Sequence, residues 1–266
     1  GKFISVDWQL LGGSRCERSL CCSTSCSPPP SWICLAVVSG NSLVSCPQAA
    51  DRNCDDRVLN CCDSAFQRFT NISQTCGHLA TMTNPKCVRK ALGNIYGNDG
   101  TAGVLKVCDG YNQYRTCLGK SVISCTTERY YIQNALVDVR TAQILQALYT
   151  ELNFICGAGM DLFLNNDKCL AQTLKNNATD IELCREQFRR NVEANPADAC
   201  SFEQELLTCV ERPFLTNCNK ECGWWACELE RVIAGSWLPG CSTQCSFSQS
   251  VHIMSNLKKE KPSMKH

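Results

Sequence analysis

The chain has 266 residues, among them 24 cysteines and three histidines, and a formal net charge of +1. So many thiols are foreign to a reducing cytosol, and a nearly neutral chain whose body carries no basic stripe is not built to bind nucleic acid. Zinc proteins space their ligands as Cys-x2-Cys with histidine partners; no Cys-x2-Cys occurs here and only His78, His252 and His266 are present, so the cysteines point to disulfides, with no metal and no cofactor expected.

The N-terminal region, residues 1–50, reads as irregular. Residues 14–31 (SRCERSLCCSTSCSPPPS) are rich in Ser, Pro and Cys and follow neither a helical nor a strand period. An apolar run from Trp32 to Val38 follows, with small residues beyond it and with Arg15 and Arg18 upstream. That order of basic, apolar and small residues is the order of a secretory leader, expected near 32–46. A buried strand is the alternative. The run is far shorter than the roughly 20 residues a membrane helix needs, so no transmembrane segment is expected.

From Cys54 onward the helical period takes over. Val58, Cys61/Cys62, Ala65/Phe66 and Phe69 recur every three or four residues, with Asp55 and Asp56 in the first turn. Lys120 to Cys125 is the best short strand candidate. Residues 127–155 predict the longest helix, with Ile132, Leu136, Val139, Leu145, Leu148, Leu152 and Ile155 as its stripe and Thr126 or Thr127 as its cap. Further helices are expected around Ile181, Cys184, Phe188 and Val192, ending before Asn195-Pro196, and around Phe202, Leu206 and Cys209/Val210, ending at Pro213. The last runs through Trp225, Leu229, Val232/Ile233 and Trp237 and closes at Pro239-Gly240. The fold class is therefore all-α and disulfide-rich.

The cysteine spacings suggest an internal repeat. Cys62, Cys76, Cys87, Cys108, Cys117 and Cys125 form one series; Cys156, Cys169, Cys184, Cys200, Cys209 and Cys218 form another of nearly equal span. Adding Cys54, Cys61, Cys222, Cys227, Cys241 and Cys245 gives 18 cysteines between 54 and 245. An even set predicts up to nine bridges, whose pairing cannot be read from sequence. The expectation is a domain over 54–245, with modules 54–125 and 156–245 joined by the helix 127–155. Cys61 and Cys62 point about 100° apart on a helix and must take different partners. The cysteines upstream, Cys16 to Cys46, are expected to form a separate population. Residues 246–266 hold Lys258, Lys259, Lys261 and Lys265 and read as a disordered tail.

No catalytic constellation is legible. Nucleophilic catalysis by Ser or Cys calls for a nearby imidazole, and only His78 lies in the helical body. The paired Cys61-Cys62 lacks the following histidine of secreted phospholipases. Asn165-Asn166-Asp167 is too short for a calcium site and suits a turn or cap. The expectation is a protein that is not an enzyme. Asn71-Ile-Ser73 and Asn177-Ala-Thr179 are glycosylation sequons, so Asn71 and Asn177 are the expected glycan sites. In Cys222-Gly-Trp224-Trp225-Ala-Cys227-Glu228 the adjacent tryptophans face different directions, one toward the core and one available to a partner.

The Cys61-Cys62-x3-Phe66 opening, the cysteine-ordered helical body and the terminal Cys222-Gly-Trp-Trp-Ala-Cys-Glu228 with Cys241-x3-Cys245 resemble nematode secreted cysteine-rich proteins of the chondroitin proteoglycan 4 domain type. The resemblance covers about residues 54–245 and implies an extracellular, matrix-associated protein. It carries over no catalytic residue. The one Ser-Gly, Ser39-Gly40, has no acidic neighbour, so no chondroitin attachment is expected there. Three roles follow: a structural matrix protein with an extracellular protein or glycan partner, a secreted binding protein or parasite effector with Trp224 or Trp225 as anchor, and a lipid carrier built on amphipathic helices.

Overall fold

The computed structural model describes residues 46–134 and 136–246. The leader-like segment, apart from Cys46, and the Lys-rich tail, apart from residue 246, lie outside them. All the regular structure among the described residues is helical. The all-α, disulfide-rich class read from the sequence is what the chain forms.

Helix α1 (Asp56–Phe69) starts where Asp55 accepts a hydrogen bond from the Arg57 amide, and it buries Val58, Leu59, Cys62, Ala65 and Phe66. Two short helices, α2 (Ile72–Cys76) and α3 (Ala80–Thr83), lead to α4 (Pro85–Leu118). Pro85 at its first turn and the Asn84 side chain, which accepts from the Cys87 amide, set the start of α4. This element consists of two helices joined at Gly100, whose φ of 53° and ψ of −131° break the helical path. Only glycine takes up such a backbone cheaply. Other α4 glycines serve close packing: a Cβ at Gly97 would lie 3.0 Å from the Lys175 side chain, and one at Gly110 would lie 2.8 Å from Phe69.

A 3-10 turn (Gly119–Ser121) and α5 (Val122–Cys125) occupy the segment expected as a strand. Gly119 leaves α4 with φ of 54°, and Ser121 and Thr126 bond back to the Leu118 and Val122 carbonyls. The segment satisfies its polar groups locally, so it needs no strand neighbour.

The long helix expected over 127–155 is two helices, α6 (Glu128–Gln133) and α7 (Val139–Ile155). Asp138 is extended and caps α7, accepting from the Thr141 amide at 3.0 Å and its hydroxyl at 2.7 Å. The break turns Ile132, Leu136 and Val139 outward, at 39%, 41% and 55% exposure, whereas Leu145, Leu148, Leu152 and Ile155 are buried. Helix α7 packs on α4 and α12 and forms the centre of the fold.

Next come α8 (Met160–Asn165), α9 (Asp167–Asn176) and α10 (Ala178–Ala194), then α11 (Ala199–Asn217) and α12 (Lys220–Trp237). Helix α10 stops before Asn195-Pro196 and α12 stops before Pro239-Gly240, as the breakers predict. Helix α11 does not stop at Pro213 but runs through it. An interior proline costs about 3 kcal/mol. Buried Phe214 and the bridges Cys184–Cys209 and Cys169–Cys218 hold the helix on both sides of it.

Nine disulfides staple these helices. The first series pairs as Cys62–Cys117 and Cys76–Cys87, with Cys125 joined to Cys54. The second pairs as Cys169–Cys218 and Cys184–Cys209, with Cys200 joined to Cys241; Cys227–Cys245 lies beside it. Cys108–Cys156 links the two series. One expectation is corrected at both ends. Cys46 belongs to the fold, bonded to Cys61, and Cys222 is a buried thiol with no disulfide partner among the described residues. Adjacent Cys61 and Cys62 do take different partners, and the upstream one is served by Cys46 from the segment before α1. With Cys46 recruited, the described cysteines are odd in number, and among them Cys222 has no partner left.

Candidate functional site

The two tryptophans face different directions, as their adjacency on a helix predicts. Trp225 is fully buried, donates Nε1–H to the Gly159 carbonyl at 2.9 Å, and sits among Phe154, Phe163 and Phe214 with ring centroids 5.7–6.4 Å away. Its neighbour Trp224 is half-buried and is also engaged in an interaction. Among the expected site residues, Trp225 is therefore core. Asn71 is exposed in a left-handed turn between α1 and α2. Asn177 is half-buried and accepts a hydrogen bond from Asn217 at the α9–α10 junction. His78 lies exposed beside Gly77. Asp167 is engaged by Thr101 at 2.8 Å, and Asn166 by Asn219 at 2.9 Å, so the Asn-Asn-Asp cluster ties helices together.

Sulfurs of Cys46, Cys62 and Cys117 lie within 4.8 Å of one another, which is ligand spacing for a metal. All three are committed to disulfides, Cys46–Cys61 and Cys62–Cys117, so the cluster is two neighbouring bridges.

The feature that does bring residues together is a cleft of about 470 Å³ between the first half of α4, α7, α10 and α12, with the end of α9 at its side. Sites for small molecules occupy roughly 300–1,000 Å³ and are mostly apolar with a few placed polar groups. Ile144, Ala147, Ile155, Leu174, Ile181, Leu229 and Trp237 supply the apolar wall. Behind and beside that wall runs a chain of ion pairs. Arg89 Nε donates to Glu151, and Arg185 donates through Nε and Nη2 to Glu230. Arg89 Nη2 also stands 3.9 Å from Glu230. Near the mouth, Arg189 bridges Glu182 and Glu186 on α10, and Lys86 reaches Glu186 at 4.0 Å.

These charges hold one another. Burial pushes the Glu230 carboxyl up, but the Arg185 and Arg89 guanidiniums together pull it below the ordinary carboxylate range. Arg185, whose charge burial disfavours, is held protonated by Glu230. Removing one partner of such a pair strands the other in the low-dielectric interior.

The sequence reading missed this cleft. A signal for it was present: each helix places one charge within an apolar face, Arg89 beside Val88 and Leu92, Glu151 beside Leu148 and Leu152, Glu230 beside Leu229 and Ile233. Charges in those positions either reach solvent or find each other. Only the packing of α4, α7, α10 and α12 shows that they find each other, and that the helices diverge enough above them to leave a space. Compared with protein-family models, with curated proteins and with solved structures, the chain matches none.

Proposed function

We propose that the protein is an extracellular, non-enzymatic carrier that holds a small apolar or amphipathic molecule in the cleft between α4, α7, α10 and α12. The observation that carries this reading is the cleft itself: an open volume with apolar walls in a protein whose helices are locked by nine bridges. Rigid walls keep an apolar space open, because helices tied by disulfides cannot shift together to fill it. The disulfides also support the extracellular assignment, because such bridges persist in oxidising compartments. No helix among the described residues is long and apolar enough to cross a membrane. The cleft's carboxylates are engaged by arginines, which favours holding a ligand over transforming one.

Gly93 makes the test clean. It lines the cleft, and a Cβ there would meet no atom within 4 Å. Phenylalanine in place of Gly93 is expected to start from that open position and project its ring into the cleft. The wild-type protein is expected to bind a neutral apolar dye such as phenylnaphthylamine at one site, and Gly93→Phe to weaken that binding at least about tenfold with an unchanged helical circular dichroism spectrum. Equal dye binding by both proteins, or none by the wild type, removes the carrier reading. The matrix role implied by the family resemblance needs no such cleft and would stand in its place.

A further inference from the structure

The two sides of the cleft differ chemically. On α4, Arg89, Gly93 and Tyr96 fall at i, i+4 and i+7 on one face, and all three line the cleft. Gly93 leaves bare backbone facing open space. On either side of it are polar groups with unused hydrogen-bonding capacity. Of the Arg89 nitrogens only Nε donates a hydrogen bond; Nη2 is buried and has no hydrogen-bond partner among the described residues. The 3.9 Å from Nη2 to Glu230 is an ion-pair distance, too long for a hydrogen bond. The Tyr96 hydroxyl is likewise buried and without a partner. Nη2 thus keeps hydrogen-bonding capacity that neither Glu151 nor Glu230 uses, and a guanidinium is suited to a carboxylate or a phosphate.

Charge points the same way. Cationic side chains in the lining outnumber carboxylates six to three. Two of the cations, Lys90 on α4 and Lys175 at the end of α9, are exposed and make no ion pair among the described residues. The opposite wall, from α7, α10 and α12, offers Ile144, Ile155, Ile181 and Leu229. The α4–α9 side is therefore cationic and donor-rich, whereas the charges of the other wall, Glu151, Glu182, Arg185, Glu186 and Arg189, are engaged in ion pairs and leave its aliphatic side chains to meet a ligand.

We propose that the molecule carried is a single-chain amphipath with an anionic head, its head on the α4 side among Arg89, Lys90 and Lys175 and its chain against α7, α10 and α12. This rests on the carrier reading above and narrows it. A fatty-acid carboxylate and an alkyl phosphate share the required chemistry. A neutral alcohol of equal length has the chain without the charge.

The test uses the full chain with its disulfides intact. Dodecanoate, dodecyl phosphate and dodecanol are compared as displacers of bound phenylnaphthylamine at low salt. At least one of the two anions is expected to displace the dye about tenfold more tightly than dodecanol, and the tighter anion names the head group. The double substitution Lys90→Gln with Lys175→Gln changes two exposed side chains, so the fold is kept. It is expected to narrow the gap to about threefold and to leave dodecanol unaffected. Dodecanol displacing as tightly as both anions, or a gap untouched by the double substitution, overturns the anionic-head assignment while leaving the carrier reading in place. Failure of the dye itself to bind removes the carrier reading first, so the two failures are distinguishable.

Discussion

Asp63 in α1 and Glu230 in α12 are both 1% exposed, yet the two halves of the molecule treat these carboxyls in opposite ways. Among the described residues no cation pairs with Asp63. Its side chain is hydrogen-bonded to Gln67, whose amide also donates to Thr81 and accepts from the Ala80 backbone. Burial pushes Asp63 up to about 7, against the hydrogen bonds of Thr81 and Gln67. Nearby, Tyr114, Tyr131 and Tyr149 form an uncharged hydroxyl cluster, with Tyr114 to Tyr149 at 3.0 Å. Around Glu230 stand two guanidiniums, and the carboxyl stays charged. The hydrogen bonds of Thr81 and Gln67 do not offset the desolvation of Asp63, whereas the two guanidiniums beside Glu230 do offset its own. The neutral solution suits a packed core. The charged solution stands beside the cleft.

The strongest way to break this comparison is to remove one charge. Glu230→Ala leaves buried Arg185 with only the half-exposed Glu182, at 3.7 Å, as an ion-pair partner, and is expected to cost about 3–5 kcal/mol in urea unfolding. Replacing both partners, Arg185→Met with Glu230→Leu, is expected to recover most of that loss. A single and a double substitution of equal cost would show that the pair is not coupled.

Asp63 gives the next largest effect. Its folded pKa is raised above the unfolded 3.8, so folding favours the protonated form. Stability is fully present below the unfolded value and is lost as pH rises through about 7. The expected slope over that window is about 1.4 kcal/mol per pH unit. Asp63→Asn removes this contribution and stabilises the protein at neutral pH by about 4 kcal/mol. Denaturant midpoints of the wild type and of Asp63→Asn across the acid-to-neutral range check both statements, and a difference between the two that does not grow toward neutral pH contradicts them.

The smallest effect sharpens the comparison on the cleft side. Gly93→Ala adds a methyl group to open space inside a helix, and is expected to stabilise by about 0.5–1 kcal/mol through backbone entropy alone. A loss of stability in thermal melts would mean that the space above Gly93 is not open.

The elements that were legible in the sequence share one property: their breakers and periods are local. Helix α1, the end of α10 before Asn195-Pro196 and the end of α12 before Pro239-Gly240 follow from apolar spacing and stop signals. The elements read differently were decided by neighbours or by a cap. Asp138 capped a new helix inside what its apolar stripe presents as one. Pro213 was carried through by disulfides and by buried Phe214. Helix α4, with five glycines, carries little helical signal, and two of those glycines earn their place by letting Lys175 and Phe69 approach the backbone.

Taken by itself, the amino-acid order determined the class: helices by their period, and bridged cysteines by their number. Partner choice among those cysteines was a tertiary matter, because a bond forms only where two Cβ atoms come within a few ångströms, and that geometry brought Cys46 into the fold and left Cys222 out. The same holds for the cleft. Arg89, Glu151, Arg185 and Glu230 lie on four different helices, and only when those helices pack do four isolated charges become one network under an open, apolar-walled space.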